Sequence, residues 1–263
     1  MSSPAPPAVN RVDVMDPARA SAFAATLGRA DPGDGPLPPF WHWLYHWDAR
    51  PPERLGRDGH PAVGDALIPD MGLPRRMWAG GALEVRGPLR TGKPATKASR
   101  QLSAERKAGR TGPLALVTLE HEVAQDGAVV LRERQDLVYR AAPSPDDPLP
   151  AVRMAERAPV EEARVFDEVA LFRASALTFN GHRIHYDRLY ATEVEGHAGV
   201  VVHGPLLAEA MADLAARAGP VRRMSYRLTA PAVAGEALTV CRDGARLWMR
   251  GADGRLCAEG AWG

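Results

Sequence analysis

From Met77 onward the chain alternates apolar and polar residues in short runs, the period of a half-buried β-strand. Residues 80–107, 112–127 and 128–140 carry this pattern in the first half. Gln125, Asp126 and Gly127 separate the last two runs, and an Asp-Gly pair in that position predicts a tight hairpin turn. Residues 221–231, 235–251 and 254–263 repeat the pattern at the far end. Two stretches carry helical signals instead. Over residues 16–29, Asp16 suits an N-cap, Pro17 the first helical position, and alanines and a leucine fill the rest. Over residues 205–218, Pro205 opens a helix that Gly219 closes. Residues 165–178 read as strand or mixed structure, and residues 179–192 as a loop leading into a short helix. Trp41, Trp43, Tyr45 and Trp47 alternate, which favours a strand, with an aromatic-rich helix as the alternative. Residues 54–76, dominated by Gly, Pro and short polar runs, predict a loop lying over the core, and the Pro-rich residues 141–150 a linker.

Each half therefore offers one principal helix and several antiparallel strands, an α+β layer architecture. Two such units, residues 1–142 and 151–263, could pair their sheets edge to edge and so cover exposed strands. The composition fits this, with 45% hydrophobic and 25% charged residues among 263. A formal net charge of +1 leaves no electrostatic footprint for nucleic acid. No run approaches the roughly 18 apolar residues of a membrane span, and the N-terminal residues lack the pattern of a secretory signal. The expectation is a cytoplasmic protein. Cys241 and Cys257, the only cysteines, make neither a disulfide framework nor a zinc site and are expected to be buried thiols. No metal is expected.

The densest group of potentially catalytic side chains is Asn180, His182, Arg183, His185 and Asp187, interrupted by Gly181. A second segment runs Val200, Val201, Val202, His203, Gly204, Pro205, Leu206. Here an apolar run leads to a glycine that permits close approach of a ligand, and Pro205 starts a helix. A backbone N–H at Gly204, at the positive end of that helix, suits a thioester oxygen gaining negative charge.

These two segments resemble the (R)-specific enoyl-CoA hydratase, or MaoC-like dehydratase, family, whose signature is Gly-Asp-x-Asn-Pro-aliphatic-His followed by Val-His-Gly-(Met/Pro)-Leu. Asn180 falls on the family's catalytic Asp, Ile184 on the aliphatic position and His185 on the catalytic His, while His182 and Arg183 replace the usual Asn and Pro. The wording of residues 179–187, and of Leu-Pro-Arg-Arg-Met-Trp-Ala-Gly-Gly over residues 73–81, resembles the two-hotdog branch. That branch includes mesaconyl-C4-CoA (3-methylfumaryl-CoA) and itaconyl-CoA hydratases and type 2 hydroxyacyl-thioester dehydratases.

The resemblance implies a tandem hotdog fold, each unit a long helix wrapped by an antiparallel sheet, with one active site in the second unit and a non-catalytic first unit that supplies substrate and CoA pocket walls. It implies a hydro-lyase acting on a short branched or dicarboxylic enoyl-CoA, with coenzyme A only as part of the substrate. Asn180 cannot act as a general base, so His185 would deprotonate a water that Asn180 holds, and the α-carbon would be protonated from the same side. Arg75 and Arg76 are candidates for CoA phosphates or a substrate carboxylate, because guanidinium forks suit both. Arg183 could meet a carboxylate or lock its own loop. His203 and Pro205 are expected at the substrate. Trp41, Trp43 and Trp47 could line an acyl tunnel or pack the core. A thioesterase, using Asp187 or Glu193, and a non-catalytic acyl-CoA-binding module are the rival readings, and a homodimer is compatible with the chain.

Overall fold

In the computed structural model, which describes residues 8–109, 112–142 and 151–263, the alternating runs become ten strands of one antiparallel sheet. They are β1 (Val9–Asp13), β2 (Arg75–Val85), β3 (Ala95–Gly109), β4 (Gly112–Gln125), β5 (Ala128–Arg140), β6 (Val160–Arg164), β7 (Arg223–Leu228), β8 (Leu238–Asp243), β9 (Arg246–Arg250) and β10 (Leu256–Trp262). Their order across the sheet is β1-β3-β4-β5-β2-β7-β10-β9-β8-β6. The second five strands mirror the first five, so the chain is an internal repeat. β2 and β7 form the seam, with Gly81 opposite Tyr226. Pairing the two halves there removes one open edge from each. Residues 143–150 of the expected linker lie outside the described residues.

The β4–β5 hairpin turns where the Asp-Gly pair predicted. Asp126 and Gly127 both have positive φ, 51° and 80°, the backbone of a turn whose twist matches that of the strands. Along β4 every second residue from Ala115 to Gln125 is buried, which is the inward face of the alternation.

Three α-helices accompany the sheet. α1 (Pro17–Leu27) is capped by Asp16, whose carboxylate accepts from the Ala18 N–H at 2.9 Å, and ends at Gly28 in the left-handed region. α2 (Glu168–Thr178) replaces the strand or mixed structure expected over residues 165–178. Asp167 caps it by accepting from the Ala170 N–H at 2.7 Å, and Leu171, Ala174 and Ser175 form its buried face. α1 and α2 each follow the first strand of their half and pack on each other. α3 (Gly204–Ala216) lies on β7–β10 and is buried on nearly every side. Side chains such as Leu207 and Met211, 2% and 0% exposed, contribute on the order of 2 kcal/mol each through burial.

Among the described residues, the first half has no helix equivalent to α3. Between α1 and β2 the chain forms short 3-10 turns at Trp41–Leu44 and Pro52–Arg54 within long irregular segments. The aromatic alternation is thus not a strand. Phe40 and His46, with φ of 71° and 60°, break the extended path on both sides and turn Phe40, Trp41, Leu44 and Tyr45 into the core. Those side chains take the place of a helix. Trp41 packs edge-on against Phe23, and Phe40 against Tyr226 across the seam. Further along, Met71 covers Ala115, Val117, Leu119, Leu137 and Tyr139.

Candidate active site

The loop after α2 is shaped by its own polar groups. Phe179 ends the helix with φ 53°, and Trp47 stacks on its ring at 5.0 Å. The Asn180 side-chain oxygen accepts from the His182 N–H at 3.0 Å, an Asx turn that leaves the Asn180 amide N–H groups to donate elsewhere. Arg183, Ile184 and His185 then form one 3-10 turn, and Tyr190–Val194 a π turn. The Arg183 guanidinium donates to Asp187 at 2.7 and 3.1 Å and to the Arg57 carbonyl at 3.3 Å, and lies over the Tyr190 ring. It locks the loop, the second of its two expected roles.

His185 is 7% exposed and its Nδ1 lies 2.8 Å from the Val201 carbonyl. A carbonyl only accepts, so Nδ1 carries the hydrogen and Nε2 keeps a free lone pair. Burial pushes the ring's pKa down to about 3, against the opposing pull of that hydrogen bond. His203 stacks flat under His185 with centroids 3.7 Å apart, and its Nε2 lies 2.8 Å from the Ser175 hydroxyl. At 3% exposed it forms a floor for His185. Gly204 follows as the first residue of α3, one position before the helix start that Pro205 suggested, with Pro205 inside the first turn. Its N–H belongs to the unpaired donors of a helix start. A Cβ at Gly204 would meet Leu228 Cδ1 at 2.2 Å, so a side chain here would have to displace the end of Leu228.

A loop of the first half packs against this cluster. The loop at residues 56–61 presses on residues 181–183. The Arg183 N–H donates to the Asp58 carbonyl at 2.8 Å, and a Cβ on Gly59, whose φ is 85°, would meet the Gly181 carbonyl at 2.0 Å. This contact brings His60 to the site, its ring 4.1 Å from that of His182 and its Nδ1 3.2 Å from Asp58. His182 in turn lies edge-on to His185 at 5.4 Å. Burial works against the Asp58 charge, but the His60 hydrogen bond and the charges of His60, His182 and Arg76 hold its carboxyl down to about 2. Asp58, His60, Ser175 and Glu195 went unmarked in the sequence, where Asp-Gly-His inside a Gly/Pro loop was the only trace of the first two. Among the described residues, Asp58, His60 and His182 are also the one group whose donor atoms cluster, within 4.8 Å, as a cation would need.

The two arginines at the start of β2 part company. Arg75 donates to the Glu195 carboxylate at 2.5 Å and to its carbonyl at 3.2 Å, tying the halves together. Arg76 donates to the Pro61 carbonyl at 3.3 Å, and its charge bears on Asp58, His60 and His182. Trp41 is core, donating to Glu209 at 3.0 Å, and Trp43 donates to the buried Glu133 at 2.8 Å. Cys241 and Cys257 are free and buried, as expected, on strands that β9 separates. Two surface clefts of about 430 and 500 Å³ lie elsewhere and are lined by none of these histidines. No helix among the described residues is long and apolar enough to cross a membrane.

Comparison with known proteins places this geometry. The family described as hydroxyacyl-thioester dehydratase type 2 matches residues 40–234, spanning both halves of the sheet. The chain is 44% identical over 223 residues to the mesaconyl-C(4)-CoA hydratase of Chloroflexus aurantiacus, covering 81% of this chain and 78% of that one. It is 34% identical over 87 residues to the mitochondrial hydroxyacyl-thioester dehydratase type 2 of Schizosaccharomyces pombe, 31% of this chain and 29% of that one. In fold it resembles HtdX of Mycobacterium tuberculosis, with TM-score 0.69 at 18% identity over 97% of this chain and 98% of that one. A MaoC-like dehydratase from Phytophthora capsici superposes with TM-score 0.70 at 13% identity, over 98% and 95%. With its mirrored strand order and the histidine–glycine site at the start of α3, the chain belongs to the hydroxyacyl-thioester dehydratase type 2 family and has the double hotdog fold.

Proposed function

We propose that this protein adds water reversibly across the double bond of a short branched or dicarboxylic enoyl-CoA, with mesaconyl-C4-CoA and itaconyl-CoA as the leading substrates. The observation that carries the reading is His185, neutral, fixed by the Val201 carbonyl with Nε2 free, and seated on His203 beside the start of α3. His185 takes one proton from a water held by the Asn180 amide. With mesaconyl-C4-CoA, whose double bond is conjugated with the thioester, the water oxygen bonds to the β-carbon while the π electrons shift to the thioester oxygen at the Gly204 N–H. The same proton then goes to the α-carbon. An oxyanion donor of this kind is worth about 3 kcal/mol of barrier.

The preference for a dicarboxylic acyl group rests on Arg76. Arg75 is committed to Glu195, whereas Arg76 has no salt-bridge partner among the described residues, and its charge reaches the histidine cluster. A carboxylate on the β-carbon would meet it there. The thioesterase reading is weaker, because Asp187 is taken by Arg183 and by the Tyr190 N–H. The reaction needs no cofactor beyond the substrate's own coenzyme A. We infer a cytoplasmic enzyme, and a homodimer of double units is compatible with this reading. The test is a panel of enoyl-CoAs, assayed by loss of enoyl absorbance and by thiol release. Hydration of the dicarboxylic members without thiol release is expected, and thiol release alone would overturn the proposal.

A further inference from the structure

A water attacking a β-carbon must be held by its hydrogens as well as its oxygen, so that one lone pair faces the carbon. Asn180, whose side-chain oxygen faces the His182 N–H, presents its amide N–H groups as donors to that water, and His185 Nε2 can accept one hydrogen. The second hydrogen needs a further acceptor. His182 packs against the His60 ring on one side and edge-on to His185 on the other.

The loop at residues 56–61 brings in an acceptor. Asp58 and His60 form a carboxylate–imidazole pair at 3.2 Å, which puts the hydrogen on Nδ1 and leaves Nε2 to accept. The ring is held from both sides. The Asp58 carbonyl receives the Arg183 N–H, and the glycine between the pair touches the Gly181 carbonyl so closely that no side chain fits. A solvated surface histidine would need none of this. His60 keeps part of its side chain open, 23% exposed, while His182, His185 and His203 are all below 8%. It is therefore the most accessible ring of the four.

We propose that His60 of the first half is the second acceptor for the reacting water, and that Asp58 holds it in the accepting tautomer. His60 would be a catalytic residue, and Asp58 a positioning residue whose negative charge also offsets the imidazolium formed at His185. The first half would then supply the carboxylate that Asn180 lacks. Atoms balance as in the reaction above. One water O–H bond breaks and its proton rides on His185 to the α-carbon, while the other O–H bond, donated to His60, stays intact in the product hydroxyl. The charged and titratable groups facing the pair are His182, His185, His203 and Tyr190 from the second half and Arg76 from β2. This inference rests on the hydratase reading.

The experiment compares His60→Leu, His60→Gln and Asp58→Asn with the wild type on whichever enoyl-CoA the wild type hydrates, reading kcat, KM, the pH profile and the melting temperature. The glutamine amide oxygen can accept a hydrogen from water and leucine cannot. For His60→Leu we expect kcat to fall by about 10²-fold with little change in KM, and for His60→Gln a recovery of about 10-fold over leucine. Asp58→Asn should lower kcat and move the acid limb of the profile to lower pH, because a negative charge that favours the imidazolium is gone. Should His60→Leu fold poorly, His60→Gln and the Asp58→Asn profile carry the test. His60→Leu retaining most of its kcat would overturn the inference. So would glutamine doing no better than leucine in equally stable variants, or an unshifted Asp58→Asn profile. A wild type that hydrates no enoyl-CoA would instead overturn the hydratase reading itself.

Discussion

His185 and Val201 are joined by a 2.8 Å hydrogen bond from ring Nδ1–H to backbone carbonyl, and the Val201 N–H returns a bond of the same length to the Ile184 carbonyl. This exchange fixes both the orientation and the tautomer of the His185 ring. Replacing His185 with Ala should lower kcat by about 10³-fold or more while leaving CoA-thioester affinity close to normal, because the lost interaction belongs to the transition state. Steady-state kinetics with calorimetric binding would check it. Substantial residual turnover would move the base elsewhere.

Asn180 closes the Asx turn with its oxygen, and in the proposed mechanism its amide donates to the water. Asn180→Ala loses both and should cost about 10²-fold in kcat. Asn180→Asp keeps an acceptor for the His182 N–H, so the loop should hold and activity should persist with an altered pH profile. Equal losses in the two variants would contradict this division of labour.

Gly204 is required for space. Its virtual Cβ lies 2.2 Å from Leu228 Cδ1, and Leu228 is a flexible side chain on β7. Gly204→Ala should therefore lower both melting temperature and kcat. Adding Leu228→Ala should restore much of the loss, since the offending methyl is gone and the backbone N–H remains. A double variant no better than the single one would mean that the glycine matters for another reason.

The neighbouring arginines should separate cleanly. Arg75→Ala strands Glu195, which is 7% exposed, and should cost about 3 kcal/mol of stability in denaturant unfolding. Arg76→Ala should raise KM for a dicarboxylic enoyl-CoA by about 10-fold or more and leave KM for a neutral short-chain enoyl-CoA nearly unchanged. A uniform rise for both substrates would assign Arg76 to the CoA portion instead.

Stability should fall steeply on mild acidification. Burial lowers the pKa of His46 and His121 to about 4, of His185 to about 3 and of His182 to about 2, and that of His203 far below its ordinary value. Below about pH 6.5 the unfolded chain takes up protons that the folded chain refuses, so stability is full above that pH and drains as pH falls toward 4. Each such histidine adds up to about 1.4 kcal/mol per pH unit to the slope. Melting temperatures between pH 8 and pH 4 would measure it, and a flat curve would contradict the burial of these rings.

Much of this molecule is determined locally and so can be read along the chain. Strand alternation needs only the period of side chains about a pleated backbone, and it gave β4, β5 and the turn at Asp126 and Gly127. Caps are equally local, which is why α1 and the start of α3 were legible. α2 was missed although Asp167 caps it, because its narrow buried face of Leu171, Ala174 and Ser175 gives little helical periodicity. The aromatic turn at Trp41–Leu44 depends on two left-handed residues, Phe40 and His46, that local preference disfavours and core packing enforces. Only the tertiary structure decided that the first half does without a counterpart of α3, that Arg75 belongs to Glu195, and that Asp58 and His60 lie against His182. Those pairings join residues more than a hundred positions apart, and nothing in local periodicity encodes which distant loop will close over a site.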